Sequence, residues 1–196
     1  MKIQIDKTYP MPCTADVAWE FLQNLEAVAG CMPGAKITER LDPARYKGTV
    51  TARVGPATMS FRGEVEMKDV DPSARSLRLL GKGTDSTGSS GASMSLTARI
   101  EAVDGGLCAL VGACEVSMSG KAAAFGGRMM NTVADTILKQ FADNFAGHVS
   151  ALQAKRGAPA AAVSIPLPAT VELNGLALVW MIFKDWLRGL FSRKPV

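Results

Sequence analysis

The side chains that most often carry out chemistry are few in this sequence. His148 is the only histidine, and it falls on the apolar stripe of a predicted helix, between Phe145 and Leu152. A histidine can act as a general acid or base near neutral pH, but only beside a reacting group that it can reach. No Ser/His/acid arrangement accompanies it. We therefore predict a structural role for His148 and no catalytic residue.

The four cysteines do not form a recognisable site. Cys13, Cys31, Cys108 and Cys114 contain no C-x-x-C pair, so neither a structural zinc nor a redox motif is indicated. Cys108 and Cys114 fall on one face of a predicted strand, but at about 3.3 Å per residue they lie roughly 20 Å apart. That separation excludes a shared metal ion. We predict reduced thiols and no metal.

Two further patterns contain residue types found in functional sites, but their spacing does not indicate one. Residues 81–88 are glycine-rich, but they match neither a phosphate-binding loop nor a dinucleotide fingerprint, and a twisted or bulged strand end is the better interpretation. Glu64 and Glu66 share the polar face of a strand, where solvent is their expected partner. With no acid–base pair in view, the sequence predicts a protein that is not an enzyme.

Composition narrows the class of protein. Of 196 residues, 47% are hydrophobic and 20% charged, which is typical of a globular chain. The net charge of +4 is mild, and no basic run is interleaved with aromatic residues, so nucleic acid is not an expected partner. The first twelve residues lack the uninterrupted apolar stretch of a signal peptide. We expect a cytoplasmic protein.

The hydrophobic period changes twice along the chain. Residues 2–9 alternate as a strand, and helices are predicted over 15–25 and 26–31. From about 35 to 119 the period is two, with turns such as Asp104-Gly105-Gly106 between six strands. Residues 127–154 then form one apolar stripe at helical spacing. This order predicts an α+β fold, in which a curved antiparallel sheet of about seven strands grips a long helix.

The apolar face of that sheet has two interpretations. It carries four methionines (Met59, Met67, Met94, Met118) together with many glycines and alanines. Small residues under a long helix can mean close packing of helix on sheet. They can also mean a hollow, which methionine lines well because its side chain is unbranched and polarizable. Because no polar cluster marks a reactive centre, a hollow would favour binding over catalysis.

The chain beyond the helix differs in composition. We predict a ligand-binding domain over 1–154, a Pro/Ala-rich linker over 155–172 and an amphipathic helix over 173–196. The apolar run 176–183 is too short to span a bilayer, which needs about 20 residues. Aromatic and basic residues around it favour binding to the membrane surface, although docking on the core or in an oligomer is an alternative. The predicted membrane-binding residues are Leu176, Leu178, Val179, Trp180, Ile182, Phe183, Lys184, Trp186, Leu187, Arg188, Leu190 and Phe191.

Several short motifs together resemble the CoxG family of carbon monoxide dehydrogenase subunits over residues 1 to about 153. They are Trp19-Glu20-Phe21-Leu22, the segment from Ala29 to Ala35 (AGCMPGA), Tyr46-Lys47-Gly48, Val54-Gly55-Pro56, Phe61-Arg62-Gly63 and the segment from Gly120 to Arg128 (GKAAAFGGR). The resemblance implies a START-like helix-grip (SRPBCC) fold. It also implies a role in recruiting a molybdenum hydroxylase of the carbon monoxide dehydrogenase type to the membrane, and binding of an isoprenoid respiratory quinone, either ubiquinone or menaquinone.

From this resemblance and the apolar face we hypothesise a quinone carrier and membrane adaptor for electron transfer, peripheral on the inner face of the plasma membrane. A recruitment or assembly factor with a solid core is the alternative. Helix-grip folds also include cyclases and hydrolases, which would need facing acid–base groups in the pocket. The residues predicted to contact the quinone are Val50, Phe61, Leu79, Met94, Leu96, Leu110, Met118, Met130, Val133, Ile137 and Phe141.

Overall fold

Seven strands and three α-helices follow one another in the order that the hydrophobic periods predict. The structure is a computed structural model and describes residues 1–55 and 57–157. The elements are β1 (Lys2–Met11), α1 (Ala15–Gln23), α2 (Leu25–Cys31), β2 (Ala35–Arg40), β3 (Arg45–Val54), β4 (Ala57–Asp71), β5 (Ser76–Asp85), β6 (Ser90–Val103), β7 (Leu107–Gly120), a 3-10 helix (Lys121–Phe125) and α3 (Gly127–Lys155). The predicted linker from residue 158 onward and the predicted helix 173–196 lie outside the described residues.

The strands form one antiparallel sheet in the order β1-β7-β6-β5-β4-β3-β2. From β2 to β7 each strand pairs with the next, as expected for strands joined by short turns. β1 pairs with the last strand, which places Met11 opposite Cys108. The two edges are therefore β1 and β2. Together with α3, this sheet confirms the predicted helix-grip architecture.

Several boundaries differ from the prediction by one or two residues. β1 continues past Pro10 to Met11, because an edge strand tolerates a residue that cannot donate a ladder hydrogen bond. α1 ends at Gln23 rather than at Leu25, since the Asn24 side chain accepts a hydrogen bond from the Ala27 amide and caps α2. α3 runs one residue further than predicted, to Lys155.

Residues 81–88 were predicted to be a twisted or bulged strand end; they contain the end of β5, at Asp85, but no bulge. β5 keeps an unbroken register with β4 and β6 from Leu79 to Thr84. The glycines have another reason: Gly63 and Gly83 lie opposite each other, and a Cβ on Gly63 would stand 2.0 Å from the Lys82 carbonyl oxygen. β4 and β5 therefore approach too closely here for any side chain on Gly63.

The solid core occupies one end of the sheet. There α1, α2 and the second half of α3 pack on the strands, and Phe145 is fully buried with its ring edge-on to Phe21 at 4.9 Å between centroids. Every buried residue of α3 lies at or after Ala142. The first half of the helix therefore covers the sheet without packing tightly on it, and this leaves room for a cavity. Among the described residues, no helix is long and apolar enough to cross a membrane.

Candidate ligand-binding cavity

A cavity of about 470 Å³ lies between the concave face of the sheet, α2 and the middle of α3. Its volume falls within the range of ligand pockets, roughly 300 to 1,000 Å³. The wall is mainly apolar, and α3 contributes Leu138 and Phe141 to it. The glycines and alanines of the apolar face, among them Gly112 and Ala98, leave this space because they carry little or no side chain. Of the two interpretations of that face, the structure supports the hollow.

Seven of the eleven residues predicted to contact a ligand line the cavity. These are Val50, Phe61, Leu79, Met94, Leu96, Leu110 and Phe141. They are brought together from five of the strands and from α3, because alternate residues of each strand point to the same face of the sheet. Whether any of them contacts a ligand stays a prediction.

The other four predicted residues do not line the cavity. Met130, Val133 and Ile137 precede the part of α3 that borders it, and all three are only partly buried. Met118 stands near the end of β7 and borders a second, more polar groove of about 490 Å³ with Ser117 and Ser119, which adjoins the cavity at shared residues such as Gly83. The residues of α3 predicted to contact a ligand run from Met130 to Phe141, and of these only Phe141 lines the cavity.

Sequence reasoning missed the contribution of α2 and β1. One wall consists of Leu25, Val28, Ala29 and Met32 from α2 and the residue after it, with Ile5 and Tyr9 from β1. A signal for α2 was present: these four positions are spaced i, i+3, i+4 and i+7, which is one face of a helix. The prediction assigned the helix but did not place its face against the sheet.

Five charged residues line the cavity, Lys7, Lys36, Arg62, Glu64 and Lys82, and of these Lys7 alone forms an ion pair with a described residue. Lys7 of β1 forms an ion pair of 2.8 Å with Asp135 of α3, and this hydrogen bond raises the pKa of the lysine. Cys114 also lines the cavity, and burial raises the pKa of its thiol to about 11. The thiol is thus uncharged at neutral pH and acts as an apolar wall group.

The remaining candidate side chains stand away from the cavity. His148 is exposed on α3 and stacks on the ring of Phe21, with 5.5 Å between ring centroids. Cys13 and Cys108 are buried together with their Sγ atoms 3.8 Å apart, a contact between the segment that joins β1 to α1 and the start of β7. The described part of the chain contains no group of three or more His, Cys, Asp or Glu side chains able to hold a metal ion.

Solved structures show the same fold at low sequence identity. A conserved protein from Geobacillus kaustophilus aligns with a TM-score of 0.68 and 18% identity, over 76% of this chain and 96% of that one. The Zhui aromatase/cyclase from Streptomyces sp. R1128 aligns at 0.56 and 16%, over 76% and 94%. A START superfamily protein from Mycobacterium smegmatis aligns at 0.53 and 16%, over 76% and 98%. At these identities the likeness concerns the fold alone.

Sequence comparison gives a family. The family model for CoxG, described as a subunit of carbon monoxide dehydrogenase, matches residues 10–150, which is more than half of the chain. The comparison with curated proteins finds no match.

Proposed function

We propose that this chain, which belongs to the CoxG family of carbon monoxide dehydrogenase subunits, is a carrier of an apolar ligand and that the ligand is an isoprenoid respiratory quinone. Family membership confirms the resemblance that the sequence motifs indicate. The observation that carries the proposal is the cavity of about 470 Å³ with a mainly apolar wall. It favours a carrier over the alternative of a recruitment factor with a solid core.

The physical need for a carrier follows from the ligand. Each methylene exposed to water costs about 0.8 kcal/mol, so a long isoprenoid does not leave a membrane unaided. The sheet and α3 offer apolar side chains on opposite sides of the cavity, including Leu96 and Phe141. We expect the isoprenoid chain to lie between them. The wall is mainly apolar and includes the neutral thiol of Cys114, which suits an apolar ligand.

The family name supports the second half of the proposal, that the partner is a molybdenum hydroxylase of the carbon monoxide dehydrogenase type. A quinone held by this chain at that enzyme would accept its electrons and then return to the respiratory chain. The carrier is proposed to catalyse no reaction itself. Among the described residues, Glu64 borders the cavity while the sole histidine stacks on Phe21 outside it. This wall therefore does not combine a carboxylate with the imidazole for acid–base work.

Membrane attachment is proposed for the last part of the chain on its sequence alone. The segment 173–196 combines an apolar run, aromatic residues such as Trp180 and Trp186, and basic residues at its end. This composition is typical of a helix that lies in the interface of a bilayer. It would keep the carrier on the cytoplasmic face of the membrane from which the quinone is taken.

The carrier proposal is tested by transfer from vesicles. The full chain is incubated with vesicles that contain a menaquinone or a ubiquinone, the vesicles are removed by flotation, and the quinone left with the protein is measured by its ultraviolet absorption. We expect close to one quinone per chain. Protein fractions free of quinone, at concentrations where the vesicles hold it in excess, would contradict the proposal.

A further inference from the structure

The charged groups of the described protein differ between the two ends of the sheet. At the closed end, which carries the solid core, arginines pair with nearby carboxylates. These pairs are Arg45–Asp42, Arg75–Asp16, Arg78–Asp69 and Arg156–Glu20. The open end is formed by the β3–β4 turn, the β5–β6 turn and the start of α3. There Arg53, Lys121 and Arg128 form no ion pair with any described residue.

Cations without an ion-pair partner are concentrated in this half of the sheet. Besides the three at the open end itself, they include Lys36, Arg62 and Lys82. Toward the closed end, two described cations lack an ion-pair partner among the described residues, Arg40 and Lys155. Arg40 is engaged in another way, since its guanidinium lies over the ring of Tyr46. The positive end of the α3 dipole lies at the open end as well.

The acidic groups at the open end offset these cations only in part. The Asp85 carboxylate accepts hydrogen bonds from the Thr87 hydroxyl and from the amides of Thr87 and Ser90, and these bonds lower its pKa. The carboxylate therefore stays ionised and contributes one negative charge to this end. Glu115 pairs with Lys2, and Asp135 pairs with Lys7. Three carboxylates of this half, Asp6, Glu64 and Asp85, form no ion pair with a described residue, against six such cations, so the described residues there carry a net positive charge.

Apolar side chains are exposed at the same end. Met129 is 41% exposed, and its terminal methyl lies 4.0 Å from where a side chain on Gly55 would begin, so the start of α3 meets the β3–β4 turn. Val50 lines the cavity and is nevertheless 44% exposed. The cavity thus opens to solvent beside Val50. Arg53 follows three residues later near the end of the same strand and points to the other face of the sheet.

We infer that the open end docks on a membrane surface that contains anionic lipid. Arg53, Lys121 and Arg128 contact the headgroups, and Met129 and Val50 reach toward the acyl chains. Basic residues around exposed apolar ones are the combination that binds such a surface, and each cation close to it adds attraction. The docked cavity opens toward the bilayer. The purpose of this contact rests on the proposed carrier function, but docking itself requires no ligand and is separate from the segment 173–196.

The test compares two triple variants of the full chain. R53Q/K121Q/R128Q removes three cations from the open end. K68Q/R99Q/K155Q removes three cations from the sheet and from the end of α3 away from it, so both variants lose the same charge. Affinity is measured for phosphatidylcholine vesicles with and without phosphatidylglycerol. We expect the first variant to lose at least about tenfold in affinity for the anionic vesicles and the second to keep the wild-type affinity.

Equal losses in the two variants would show an effect of net charge and would overturn the inference, as would no loss in either. Met129→Gln provides a second measurement, because it leaves the charge unchanged and should still weaken binding. Circular dichroism checks that each variant is folded. If the wild-type chain takes up no quinone but the first variant still binds vesicles more weakly than the second, docking stands and the carrier proposal fails.

Discussion

Lys7 of the edge strand β1 and Asp135 of α3 form an ion pair of 2.8 Å beside the cavity. The pair joins sheet and helix in the half of α3 that precedes its first buried residue, Ala142. The side chains are 39% and 59% exposed, so the pair adds little to stability. Its position suggests another effect, which is that the ion pair holds α3 over the cavity.

Asp135→Asn should therefore speed ligand exchange without a marked change in melting temperature. Loss of the ion pair frees the first half of α3 from β1, and we expect the rate of quinone release to vesicles to rise several-fold. The matched control is Asp143→Asn, which breaks the Lys139–Asp143 pair of 2.8 Å within α3 itself. Similar release rates in the two variants would contradict the proposed hold.

Gly112→Leu should reduce ligand uptake by filling the cavity. Gly112 lies on the cavity wall, and a Cβ there would meet only the Leu96 side chain at 3.6 Å, so the strand accepts a larger residue. We expect quinone uptake from vesicles to fall by more than about tenfold, which corresponds to about 1.4 kcal/mol. Gly147→Leu makes the same change on the exposed side of α3, where nothing lies within 4 Å of the new Cβ. Uptake by that control should match the wild type. If Gly112→Leu also took up as much quinone as the wild type, the ligand would bind elsewhere.

Gln153→Met should lower the free energy of unfolding. The Gln153 side chain is 2% exposed, and its Oε1 accepts hydrogen bonds of 3.2 Å from both the amide and the hydroxyl of Thr14. Methionine fills a similar volume but leaves the Thr14 groups unpaired, which costs about 1 to 3 kcal/mol. Urea unfolding measures the loss. Lys155→Met, at an exposed position two residues on, should cost much less; an equal cost would show that the hydrogen bonds are not the cause.

Cys114 should react slowly with iodoacetamide, with a rate that keeps rising with pH until about 11. Burial raises the pKa of this thiol, so the reactive thiolate is scarce at neutral pH and increases about tenfold for each pH unit below the pKa. Peptide mapping by mass spectrometry follows Cys114 apart from the other three thiols. Because Cys114 lines the cavity, bound quinone should slow its alkylation further. A rate that levels off near pH 9, or one that quinone leaves unchanged, would contradict this placement.

The strands and helices were predictable because each produces a period in the sequence. Alternation from Tyr46 to Val54 and from Met59 to Met67 gave β3 and β4, and the turn residues between the runs implied the meander. Boundaries shifted where a local contact decided them, as when Asn24 capped α2 and ended α1.

The cavity was only partly predictable because it depends on how the elements are inclined to one another. Periodicity placed Met130 and Phe141 on one stripe, but the angle of α3 across the sheet brings only Phe141 to the cavity. The contact of Cys13 with Cys108 joins residues 95 positions apart, and no local pattern signals it. The unpaired cations of the open end likewise emerge only when the strand ends are placed together.

Native mass spectrometry of the full chain, gently extracted from the membranes of its host, shows whether the protein carries a quinone. We expect a folded protein whose mass exceeds that of the chain by one isoprenoid quinone, released intact on collisional activation. Gly112→Leu, prepared in parallel, should carry less of it. A spectrum that contains only the mass of the chain itself, from membranes shown to hold quinone, would contradict the carrier.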